Sequence, residues 1–88
     1  ESEFKASARR NKLLGIWAAE QMGITGEAVD AYARQVIDSD FEEVGNDDVY
    51  RKVKRDFDEK NVDKSERQIR RQMDELMAIA REQIKSEV

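Results

Sequence analysis

The side chains that most often carry catalysis are missing here: the sequence holds no His and no Cys. A nucleophile, or an acid or base working near neutral pH, would have to come from carboxylates, lysines, tyrosines or serines. Two acidic stretches have the outline of calcium loops. The first, from Asp38 through Asp40 and Glu42, lacks Gly at its sixth position and has Val49 rather than Glu at its twelfth. The second, from Asp56 and Asp58, places Arg67 where a bidentate carboxylate belongs at the twelfth position. Both read as solvated loop and helix faces. The di-metal carboxylate site of four-helix bundles needs Glu-x-x-His, which a His-free chain cannot supply. No glycine loop that could cradle a phosphate is present. The reading is therefore of no catalytic residue, no metal ligand and no cofactor.

What remains is charge. Lys5, Arg9 and Lys12 recur at helical spacing and share one face of a helix, while Arg10 points away from it. Taken alone, such a face is simply solvated; against an acidic partner it is a docking surface. Trp17 lies within an apolar arc and is read as core rather than contact.

Placing these residues requires the elements. The chain has 88 residues, 41% of them charged and 39% hydrophobic, and no Pro. That is room for one domain, with a composition that favours helix. A net charge of −4 makes nucleic acid a poor partner. No apolar run approaches the roughly 20 residues of a membrane span, so direct membrane insertion is not expected. Without Cys there is no disulfide, and redox chemistry says nothing about the compartment.

Periodicity predicts four helices over about residues 2–22, 26–40, 47–60 and 66–86. In the first, Leu14, Trp17, Ala18 and Met22 form an apolar arc that Leu13 and Ile16 widen, and Gly23 stops it. Gly15 inside this helix predicts the close passage of a neighbour. Thr25 is placed as the cap of the second helix, whose stripe is Ala28, Val29, Tyr32, Ala33 and Val36. From Asp38 to Asp48 there are six acids and no base, read as a loop pinned by Phe41 and Val44. Asn46 or Asp47 caps the third helix, which buries Val49, Tyr50, Val53 and Phe57 and leaves Arg51, Lys52 and Arg55 outside. Ser65 and Gln68 make a capping box for the fourth, with Ile69, Met73, Leu76, Met77, Ala80 and Ile84 as its stripe. Glu66 with Arg70, and Arg71 with Glu75, support that helix from outside. Four one-sided helices with short loops predict an all-α, antiparallel-type four-helix bundle as a single domain.

The run Ala8-Arg9-Arg10-Asn11-Lys12-Leu13-Leu14-Gly15-Ile16-Trp17-Ala18-Ala19-Glu20 resembles the hallmark of the zeta subunit, the small inhibitor of alphaproteobacterial F-type ATP synthases. Asp40 to Val49 resembles the family's acidic connector, and Gln68 to Leu76 its final helix, so the resemblance spans nearly the whole chain. It implies a four-helix regulator that stops ATP hydrolysis by the soluble catalytic head, contacting its alpha, beta and gamma subunits. It also implies a cytoplasmic protein, monomeric when free and held at the inner membrane only through the synthase. In the family a helical segment before the hallmark run wedges beside the rotor, and the bundle anchors it. Only Glu1 to Ser7 precede the run in this sequence, so the expectation for these residues is the anchoring bundle. The expected partner-binding residues are Phe4, Lys5, Arg9, Arg10, Asn11 and Lys12.

Two other readings compete. A helical interaction module with another partner, or one that self-associates, would use Leu13 and Ile16 if they stay exposed. A nucleotide-binding or enzymatic domain would need a pocket ringed by Arg or Lys with an aromatic wall.

Overall fold

Local chemistry marks several of the helix boundaries in the computed structural model. The structure describes residues 2–41 and 45–87, arranged as α1 (Ser2–Gln21), α2 (Glu27–Asp38), α3 (Asp47–Glu59) and α4 (Glu66–Ser86). Gly23, at φ 77°, turns left-handed behind α1. Its N–H donates to the Glu20 carbonyl at 3.1 Å and the Ile24 N–H reaches back to Ala19 at 2.9 Å, the paired bonds of a Schellman stop. Asn61, at φ 59°, plays the same part after α3, where the Val62 N–H reaches the Phe57 carbonyl at 2.8 Å. At the head of α4 the capping box is complete: the Gln68 N–H donates to Ser65 Oγ at 3.1 Å and the Ser65 N–H to Gln68 Oε1 at 2.8 Å.

The starts of α2 and α3 differ from the expectation. Gly26, not Thr25, is the N-cap of α2 and makes no side-chain cap, because the helix begins one residue too late for Thr25 to reach it. Asn46 is the N-cap of α3, one of the two residues expected there, but its side chain makes no cap hydrogen bond; its Oδ1 accepts instead from Arg70 Nη1 at 3.3 Å. The last turn of α2 also unwinds early. Ser39 and Asp40 are outside the helix, and Asp40 turns its carboxylate toward α1.

The four stripes meet in one core built from Leu14, Ala18 and Ala19 of α1, Tyr32 and Val36 of α2, Val49, Val53 and Phe57 of α3, and Ile69, Met73 and Leu76 of α4. Each large side chain so buried contributes about 1.5–3 kcal/mol. Trp17 is half-buried and meets the Phe57 ring edge-on at 5.6 Å, which makes it part of this core. Helix α1 packs chiefly on α2 and α4. The α1–α2 crossing is tight: a Cβ at Gly15 would lie 2.5 Å from the Ala33 Cα, so the neighbour predicted from this glycine is the backbone of α2. Asn11 opposite Asp40 and Gly15 opposite Ala33 give α1 and α2 opposed directions, as Tyr32 with Asp56 and Gln35 with Lys52 do for α2 and α3.

Some side chains depart from their expected places. Ala28 is exposed and Tyr50 only half-buried, with the Arg70 guanidinium 4.3 Å over its ring. Lys52 is not an outer residue: its ammonium sits 2.9 Å from Asp56 and 2.9 Å from Gln35 Oε1, which draws the chain inward across α2. Phe41 does not anchor the connector; it is 84% exposed. Val44, the other expected anchor, lies outside the described residues, as do Glu42 and Glu43 of the connector. Leu13 and Ile16 are half-buried, and Leu13 packs on the core, so the pair offers little exposed stripe for self-association.

Candidate functional site

The open end of α1 carries most of the residues that the sequence singles out. Its first turns bury little beyond Ala6, so Phe4, at 78% exposure, and Lys5 face solvent. Helical spacing brings Phe4, Lys5, Ala8, Arg9 and Lys12 onto one side, where they form the floor and one wall of a groove of about 390 Å³. The opposite wall is Ile37 from α2 with Ile84 and Glu87 from the end of α4. The groove thus combines four apolar side chains with three cations and one carboxylate.

Its cations are not equivalent. Arg9 is tied down, donating from Nη1 to Gln83 Oε1 at 2.8 Å and pairing through Nη2 with Glu87 Oε2 at 2.6 Å. Lys5 and Lys12 have no ion pair among the described residues and keep their charge available. Nearby, Glu3 accepts two hydrogen bonds from Arg81, at 2.9 and 3.1 Å, which clip the start of α1 to α4. The hydrogen bond from Arg81 and then its charge hold the Glu3 carboxyl below its ordinary 4.5.

Arg10 and Asn11 lie elsewhere. They turn inward and are 4% and 1% exposed. Arg10 Nε donates to Asn11 Oδ1 at 2.6 Å, and Asn11 Nδ2 donates to Asp40 Oδ2 at 3.0 Å. Desolvation lowers the Arg10 pKa, while the charges of Asp40 and Asp74 oppose that shift. The pair forms a buried polar bridge from α1 to the end of α2. It stands behind the groove and does not line it.

Sequence reasoning did not find Ile37, Glu87 or the groove role of Ile84. Only the 3.6-residue stripe of α4 pointed to Ile84, and it assigned that residue to the core. Among the described residues no group of three His, Cys, Asp or Glu side chains could hold a metal ion. No helix there is long and apolar enough to cross a membrane.

Residues 1–83 match the family described as ATPase inhibitor subunit zeta. A structure solved by solution NMR is similar over 100% of both chains, at 45% identity and a TM-score of 0.86. No curated protein matches the chain.

Proposed function

Since the chain belongs to the ATPase inhibitor subunit zeta family, and so serves as an inhibitor of ATP synthase, we propose that it docks on the soluble catalytic head and blocks rotation in the direction of hydrolysis. Its place is regulatory rather than catalytic. The contacts proposed are with the alpha, beta and gamma subunits, and they hold the protein at the inner membrane through the synthase from the cytoplasmic side. The free chain is proposed to be a monomer.

The observation that carries this reading is the open end of α1. Phe4 is offered to solvent beside two lysines with no ion pair among the described residues, in a groove whose apolar lining of Phe4, Ala8, Ile37 and Ile84 could receive a partner's side chain. Phe4, Lys5, Arg9 and Lys12 are the proposed contacts, and Arg10 and Asn11 hold the helix that presents them. No reacting group is needed. A helix bound more tightly by one rotational state than by the others stabilises that state, and its differential affinity sets the inhibition. On the family resemblance, the bundle anchors the inhibitor and a helical segment before the Ala8–Glu20 run wedges beside the rotor.

The test is ATP hydrolysis by a matched alphaproteobacterial catalytic head, titrated with this chain and with a form extended upstream by the family's inhibitory segment. The extended form should inhibit, and an excess of this chain should compete with it. Inhibition by neither, with no binding of either, would falsify the docking.

A further inference from the structure

A second feature lies between the end of α2 and α3, lined by none of the residues of the α1 groove. Phe41 is the most exposed large apolar side chain among the described residues. The Ser39 hydroxyl donates to the Val36 carbonyl at 2.7 Å, the Asp40 N–H donates to Ile37 at 3.3 Å, and the Phe41 N–H donates to Ser39 at 3.1 Å. Asp40 is also fastened to the buried Asn11. The backbone that leads into Phe41 from α2 is therefore hydrogen-bonded at each of its last three residues.

Facing it across a concavity of about 210 Å³ are Arg51, Lys52 and Arg55 of α3, with Asp48 and Ser39 completing the lining. Arg51 pairs with Asp48. Arg55 has weaker support: among the described residues it pairs with Asp56 at 4.0 Å, and Asp56 also holds the Tyr32 hydroxyl at 2.7 Å and the Lys52 ammonium at 2.9 Å. The Arg55 side chain is 66% exposed. Among the described residues, three cations and one carboxylate thus border an exposed aromatic ring on a chain of net charge −4. A small anion would answer the charge and leave the ring uncovered. A segment bearing carboxylates around one apolar side chain would satisfy both.

We propose that Phe41, Arg51 and Arg55 form a second docking surface, which receives an acidic segment of the catalytic head carrying one apolar side chain. This rests on the docking proposed above and adds a contact that the α1 groove does not supply. Two separated contacts would fix the orientation of the bundle as well as its affinity.

The experiment is equilibrium binding of fluorescently labelled chain to the matched catalytic head, with circular dichroism to verify that each variant is folded. Phe41→Ser and Arg55→Glu should each raise the Kd about tenfold. Lys60→Glu makes the same charge change on an exposed residue outside the concavity and should alter the Kd less than about twofold. Unaltered binding by Phe41→Ser and Arg55→Glu, with the parent chain bound, overturns this surface and leaves the docking reading intact. No binding by the parent chain overturns both. Capture by vesicles containing phosphatidylglycerol, lost in the same two variants, would overturn the protein-segment reading in favour of a lipid surface.

Discussion

Asn11 shows how one side chain can settle the fate of two charges. Its carbonyl oxygen accepts from Arg10 and its amide donates to Asp40, so a buried guanidinium and a carboxylate just past the end of α2 are both answered through it. Asn11→Ala would leave the Arg10 Nε without that acceptor in a site with almost no water. The variant should lose about 2–3 kcal/mol, read as a lower urea midpoint with an unchanged slope. Tyr32 is a second such residue. Burial first, and then the hydrogen bond to Asp56, push its pKa far above the ordinary 10.0. The protonated phenol is thus the form that the fold favours. Its contribution is complete below pH 10.0 and is lost as the pH rises beyond it, when the unfolded chain can ionise and the folded chain cannot. Tyr32→Phe should cost about 1 kcal/mol at neutral pH. It should also show a shallower fall in stability above about pH 10 than the parent, in urea titrations at the two pH values.

Among the elements, α1 is attached in two ways. Its second half is held by the backbone crossing at Gly15, and its first half by polar clips to α4. A methyl group at Gly15 would meet the Ala33 Cα at 2.5 Å and its Cβ at 3.0 Å. The gain of about 1 kcal/mol in helix propensity should therefore be outweighed by overpacking of about 1–3 kcal/mol or more, and Gly15→Ala should unfold at lower urea. The first turns respond to solvent instead. The bonds between Glu3 and Arg81 and between Arg9 and Glu87 lie at the surface, where salt screens them. Because Arg81 holds the Glu3 carboxyl below its usual 4.5, this attachment is present at neutral pH and is lost as pH falls through the lowered value. Hydrogen-exchange protection at Ala6 to Arg9 should drop at about 0.5 M salt and on acidification, while that at Leu14 to Ala19 holds.

For the molecule as a whole, the net charge of −4 conceals an uneven surface. Lys5 and Lys12 edge the α1 groove with no internal ion pair among the described residues, so their charges cost the fold little and are free to act on a partner. Lys5→Glu combined with Lys12→Glu should leave the melting temperature within about 2 °C of the parent. It should weaken binding to the catalytic head about tenfold and flatten the dependence of that binding on salt. A shift in melting temperature with no change in binding would mean that the groove serves the fold alone.

The sequence by itself determined the four helices, because apolar period and helix-end chemistry are local. Ile69, Met73, Leu76 and Ala80 repeat at helical spacing and are all buried, as are Val49, Val53 and Phe57. Gly23 and the Ser65–Gln68 box mark their helix boundaries with groups only a few residues apart. The ordered run from Ala8 to Glu20 likewise carried the family. What periodicity cannot supply is the partner for a residue on the flank of a stripe. Asn11 is buried because Asp40, 29 residues away, turns out of the end of α2 to meet it. Lys52 is drawn inward by Gln35 and Asp56, and Phe41, expected to anchor the connector, is exposed. The groove exists only where Ile37, Ile84 and Glu87 converge on α1. These outcomes depend on how the helices cross, and crossing is set by close packing across the whole core rather than by any one segment.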